Sequence, residues 1–176
     1  MKKILIGIVA VTLIMLAITS CKKPASVNGG SWTFKSQNYP VTSGIADISQ
    51  QPPVGSVYNI ATLATASQGS NSYGSIVFTF FSYPTASGTY TITSNQYPDS
   101  GSHEIAVNMI LSTGSSYAQN NYNPTASSAA SVVANVTVGS NGWITIALPA
   151  LEMVNAANPS DSAALTANVK QTAAAE

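Results

Sequence analysis

His103-Glu104-Ile105-Ala106-Val107-Asn108-Met109-Ile110-Leu111 is the stretch that decides the class of fold. Ile105, Val107, Met109 and Leu111 recur at every second position, the spacing that places side chains on one face of an extended strand. The best hairpin signal lies downstream. Val132 to Val138 and Trp143 to Leu148 flank Gly139-Ser140-Asn141-Gly142, and Asn-Gly tolerates the positive φ that a tight turn requires. Together these segments set a period of two, where a helix would show a period of 3.6.

The same period extends through most of the chain. Trp32 and Phe34 alternate with Ser31, Thr33 and Lys35, so a short strand is expected there, with Trp32 in the core. A second strand is expected from Tyr39 to Ile48 and a third from Val57 to Ala66, with Pro52-Pro53 breaking the chain between them. Ile76, Phe78 and Phe80 alternate with Val77, Thr79 and Phe81, so both faces are apolar and a central strand is expected. Thr89 to Thr93 and Leu165 to Gln171 complete the pattern. Ser67 to Ser72 reads as a turn, and Tyr117 to Pro124 as a polar, Asn-rich loop. Ala150 to Ala157 allows one helical turn stopped by Pro159, or an extended strand. The expectation is an all-β domain of about eight or nine antiparallel strands, a single β-sandwich or a closed β-barrel.

The N-terminus has a different composition. Lys2-Lys3 precede an unbroken apolar run from Ile4 to Ile18, and Thr19-Ser20-Cys21 follow. The run is short for a spanning helix, which needs about 20 apolar residues, and matches the apolar region of a secretory signal. The small residues end on Cys21, the only cysteine of the 176-residue chain. This arrangement resembles the signal peptide and lipobox of a bacterial lipoprotein. The resemblance implies cleavage after Ser20 and lipid attachment at Cys21, which accounts for a cysteine with no disulfide partner. Several acyl chains would anchor the protein to a membrane stably, where one would bind only marginally. The organisation expected is a signal peptide over 1–20, the lipidated cysteine and a flexible tether over 21–30, one β-domain over 31–172, and a short tail over 173–176. The mature chain of 156 residues has the length of one domain.

Charged residues make up 7% of the sequence and hydrophobic residues 45%, with a formal net charge of +0. Disorder goes with low hydrophobicity and high net charge, so a folded domain is expected. Between Lys35 and Lys170 every formal charge is acidic: Asp47, Asp99, Glu104, Glu152 and Asp161. Nucleic-acid binding needs clustered Lys and Arg to displace phosphate counterions, and the domain lacks that cluster. The lipid anchor and the polar outer parities speak against a membrane-spanning barrel.

Few residues suggest chemistry. His103, the only histidine, shares parity with Ile105 and is expected at the core side or its rim; Asp99 lies four residues upstream. A His103–Asp99 pair would need a nucleophilic serine on a strained elbow, and no G-x-S-x-G motif is present. A metal site is disfavoured because strand parity sends His103 and Glu104 to opposite faces. A pair of glycosidase carboxylates is possible among five acids, but no spacing selects one. The reading expected for Asp99-Ser100-Gly101 is a turn that leads into the strand. Tyr117, Asn120, Asn121, Tyr122 and Asn123 combine aromatic faces with amides, the groups that contact sugars. Trp143, beside the hairpin turn, is a further ligand platform or packs against a loop. Tyr117, Asn120, Tyr122, Trp143 and His103 are therefore the candidate ligand-binding residues. No cofactor is implied.

Trp32-Thr33-Phe34-Lys35, Tyr39-Pro40-Val41-Thr42 and Pro84-Thr85-Ala86-Ser87-Gly88-Thr89-Tyr90-Thr91-Ile92 resemble small β-rich lipoproteins of Bacteroidota, domains of unknown function. The resemblance covers most of residues 31–171 and carries no functional residue across. In such lipoproteins Asp after the cysteine marks inner-membrane retention, and acidic residues there accompany surface export. Lys22-Lys23-Pro24 departs from both, which favours the periplasmic face of the outer membrane. The function expected is a non-catalytic, membrane-anchored β-domain that binds a glycan or an envelope protein or serves a structural role. The rival expectation is a hydrolase acting on glycans or esters.

Overall fold

The protein is described from a computed structural model, which places residues 29–51, 55–65, 73–113, 118–140 and 142–172. The expected lipid site Cys21, Pro52-Pro53, the Ser67–Ser72 turn, Tyr117, Asn141 and the 173–176 tail lie outside the described residues.

Ten strands and one short helix follow in order: β1 (Gly29–Phe34), β2 (Gln37–Gln51), β3 (Gly55–Thr65), β4 (Tyr73–Phe80), β5 (Gly88–Thr93), β6 (Glu104–Thr113), β7 (Ala118–Pro124), α1 (Ala126–Ser131), β8 (Val133–Val138), β9 (Trp143–Asn155) and β10 (Asn158–Thr172). The chain is all-β, as its period of two requires. β1 takes in Gly29 and Gly30, the last two residues of the expected tether. The expected count of eight or nine strands is corrected to ten among the described residues. The Tyr117–Pro124 segment, expected to be a loop, is largely strand β7. Its pairing with β6 and β9 overrides a composition poor in strand formers. Ala150 to Asn155 continues strand β9 rather than forming a helical turn. Helix α1 was unexpected; Thr125 caps it, its hydroxyl accepting from the Ser128 N–H at 3.2 Å.

All strands belong to one sheet in the order β10-β1-β2-β3-β4-β6-β5-β8-β9-β7, with further pairings β10–β9 and β6–β7. The strands at both ends of that order therefore have partners on either side. The pairings are antiparallel except β5–β6, where Thr91, Ile92 and Thr93 run parallel to Glu104, Ile105 and Ala106. A fully antiparallel order was expected. A parallel pair needs a crossover rather than a tight turn, and residues 94–103 supply it.

Alternate residues of the strands fill a common core. Ile105, Val107, Met109 and Leu111 are all buried, as are Ile76, Phe78 and Phe80 on the neighbouring β4. Burial of each such side chain stabilises by about 1.5–3 kcal/mol. Trp32 stacks on Tyr39 with ring centroids 3.8 Å apart, and Phe34 meets Tyr122 edge-on at 4.9 Å. The expected hairpin joins β8 to β9: Val138 pairs with Ile144, Gly142 lies at φ 72, and the Gly139 N–H donates to Trp143 O at 2.9 Å. The β1–β2 hairpin closes through a two-residue turn without glycine, with Lys35 and Ser36 at φ 50 and 61. Among the described residues, no helix is long and apolar enough to cross a membrane.

Candidate functional site

The strands that bury Ile76, Phe78, Val107 and Met109 turn their other face outward. There β3 presents Asn59 and Ala61, β4 Val77 and Thr79, β6 Ala106 and Asn108, and β7 Asn121 and Asn123. Register aligns them in rows: Asn59 opposite Thr79, Thr79 opposite Ala106, Ala61 opposite Val77, and Val77 opposite Asn108. The end of β5 and the connection after it add Thr93, Ser94, Asn95, Gln96 and Tyr97 as one wall. Together with Val107 and Pro124 these residues enclose a groove of about 770 Å³, within the range of small-ligand sites.

The chemistry of the groove is uniform. Its lining holds six side-chain amides, Asn59, Asn95, Gln96, Asn108, Asn121 and Asn123, and no Asp, Glu, Lys, Arg or His. Asn108 Nδ2 donates to Asn123 Oδ1 at 2.6 Å, Thr79 Oγ1 donates to Asn59 Oδ1 at 2.9 Å, and Gln96 Nε2 donates to the Tyr97 hydroxyl at 3.0 Å. These bonds hold the rows in place; an amide offers two donors and a carbonyl acceptor, so Asn108, Asn123 and Gln96 each keep bonding capacity beyond them. An array of this kind matches hydroxyl groups, which both donate and accept, and it has no ionic charge to desolvate.

The opposite parity of β7 faces a second cluster. Tyr122 is buried, and its hydroxyl donates to Asp161 Oδ2 at 2.8 Å while accepting from Lys35 Nζ at 3.1 Å. Lys35 also forms an ion pair with the other Asp161 oxygen. Asn155 Nδ2 donates to Asp161 Oδ2 at 3.1 Å and to Asn120 Oδ1 at 3.3 Å. The hydrogen bond from Lys35, then those from Asn155 and Tyr122, lower the Asp161 pKa to about 2. Burial opposes the Lys35 ammonium, but its bonds to Asp161 and Tyr122 outweigh that and raise its pKa. Burial raises the Tyr122 pKa. This cluster clamps the Lys35-Ser36 turn to β7, β9 and β10.

Of the sequence candidates, Asn120 and Tyr122 thus sit in the clamp, while their neighbours Asn121 and Asn123 line the groove. Trp143 is half-buried against its own turn: a Cβ at Gly139 would come within 2.6 Å of its indole, and Lys170 Nζ lies 3.8 Å from the ring centroid. His103 is not at the core side. It is exposed, because β6 begins one residue later at Glu104 and strand parity does not extend into the preceding turn. That turn is held by the Ser102 N–H on Asp99 O at 3.2 Å and by the Asp99 N–H on Glu104 Oε2 at 3.2 Å. Among the described residues, no group of three or more His, Cys, Asp or Glu side chains is placed to hold a metal ion. Asn59, Asn95, Gln96, Tyr97 and Asn108 escaped the sequence reading. They come from three separate segments, and no local spacing joins them.

No protein-family model, curated protein or solved structure matches the chain.

Proposed function

We propose that this chain is a lipid-anchored envelope domain that binds a neutral, hydroxyl-rich ligand, a glycan segment, in the amide groove without turning it over. The observation that carries the reading is the groove itself: six amides and Tyr97 in a recess whose lining holds no Asp, Glu, Lys, Arg or His. Amides serve sugar hydroxyls and a tyrosine ring serves the apolar face of a sugar. Acid–base catalysis calls for a titratable pair poised at the substrate, and of the titratable types only Tyr97 lines this groove.

The anchor in this proposal is Cys21, lipidated after removal of residues 1–20, with the domain on the periplasmic face of the outer membrane, as in the Bacteroidota-type lipoproteins its motifs resemble. The proposal also takes the sheet as a closed barrel rather than a sandwich. The β9–β10 and β6–β7 pairings support closure, since they supply partners to the strands at both ends of the order.

The test is glycan-array binding by the chain lacking residues 1–20 and carrying Cys21→Ser, with ester and glycoside substrates assayed beside it. Saturable binding without turnover is the expected result. Turnover lost on changing a carboxylate or His103 would favour the hydrolase instead. Palmitate labelling in cells should disappear in Cys21→Ala, and persistent label would remove the anchor from the proposal.

A further inference from the structure

A second cleft, sharing no lining residue with the amide groove, lies between the connection after β4 and the turn before β6. It encloses about 270 Å³ and is lined in part by Phe81, Tyr83, Tyr90, Ser102, His103 and Glu104. Its chemistry differs from that of the groove. Phe81, Tyr83 and Tyr90 contribute to its lining, and so does Glu104, an acidic residue.

The rings are fixed from behind. Tyr90 meets the buried Phe80 edge-on at 5.3 Å and lies 5.3 Å from the His103 ring. Tyr83 meets Tyr58 edge-on at 4.9 Å, and its hydroxyl donates to Gly142 O at 3.1 Å. Glu104 is fixed as well: its Oε2 accepts from the Asp99 N–H at 3.2 Å and the Ser102 hydroxyl at 3.0 Å. The charge balance is one-sided. Asp99 in the turn and Glu104 at the start of β6 are joined by a hydrogen bond, while the two lysines among the described residues are placed elsewhere, Lys35 on Asp161 and Lys170 over Trp143.

Ring faces carry negative quadrupole potential and attract a cation within about 6 Å of the centroid, most strongly where water is excluded. A carboxylate at the same place adds a full negative charge. We propose that this cleft binds a small organic cation, an ammonium or quaternary ammonium group, with Tyr83 and Tyr90 supplying the rings and Glu104 the charge. Its volume lies below the range of about 300–1,000 Å³ usual for drug-sized ligands, which suits a headgroup rather than a whole oligomer.

The test titrates the chain lacking residues 1–20 and carrying Cys21→Ser with choline and with its uncharged isostere 3,3-dimethylbutan-1-ol, followed by NMR or calorimetry. Saturable choline binding is expected in the millimolar range, with the alcohol roughly tenfold weaker or more. Glu104→Gln keeps an oxygen for the turn's hydrogen bonds and should weaken choline roughly fivefold or more. Tyr90→Leu should do the same, and unfolding curves would confirm that each variant is folded. Equal binding of the alcohol, an unchanged affinity in folded Glu104→Gln, or no saturable choline binding would each overturn the proposal. None of these outcomes bears on glycan binding in the separate groove.

Discussion

The two faces of β7 carry similar residues with opposite fates. Inward, Asn120 and Tyr122 join Asn155, Asp161 and Lys35 in a network in which each side chain has a partner. Outward, Asn121 and Asn123 line a groove, where Asn108 to Asn123 is a single exposed bond. A polar group whose bonds are met by its neighbours holds structure. One with bonding capacity to spare on a recessed surface is available to a ligand. The inward network also answers a local cost. Left-handed backbone costs a non-glycine residue about 1–2 kcal/mol, and Lys35 and Ser36 both adopt it. The β8–β9 connection places a glycine, Gly142, at its positive-φ position, φ 72. One turn is made by residue choice, the other in company with a clamp.

The largest effect should come from Tyr122→Ala. It removes a buried ring from its edge-on contact with Phe34 and leaves Asp161 without one of its donors. A loss of about 3–5 kcal/mol is expected in chemical denaturation. A loss under about 1 kcal/mol would mean that the inward face is no more structural than the outward one.

Next comes Asp161→Asn, read as a function of pH. The folded Asp161 pKa of about 2 lies below the ordinary value of 3.8, so the folded protein binds fewer protons between those values. Its stabilising contribution is full above pH 4 and is lost as pH falls from about 4 to about 2. The carboxylate is partly exposed, and the contribution is therefore about 1–2 kcal/mol. Wild type and Asp161→Asn should differ by that amount at pH 7 and converge near pH 2. A gap that persists at pH 2 would assign the effect to packing rather than to charge.

The contrast between the faces also marks how much the sequence discloses. The Ile105–Leu111 face and the Gly139–Gly142 hairpin are legible because their cause is local: a period of two, and a turn that needs Asn-Gly. β7 is not, because Asn-rich sequence has weak strand preference and takes its conformation from β6 and β9. The amide-and-aromatic character of residues 117–123 was visible, but parity then divides it, sending Asn120 and Tyr122 inward. Lys35 and Asp161 are 126 positions apart, a separation across which no sequence spacing operates. His103 shows the limit of periodicity itself, since one residue beyond the strand end its side chain is exposed.

The smallest effect on stability, and the sharpest test of the contrast, should come from Asn108→Ala. The Asn108–Asn123 bond is exposed, so water replaces the lost partner and no buried group is left unpaired. A change within about 0.5 kcal/mol is expected in the unfolding midpoint. Asn108 nevertheless joins β6 to β7 across the groove floor, where its amide presents donors and an acceptor side by side with those of Asn123. Two hydroxyl contacts removed from a bound sugar correspond to about 1–3 kcal/mol, or roughly 5-fold to 150-fold in affinity. Unchanged stability with weakened glycan binding is therefore the outcome that separates the outer face of β7 from the inner one. The reverse, a destabilised protein that binds as before, would make the amide rows a support for the sheet and leave the groove without a ligand.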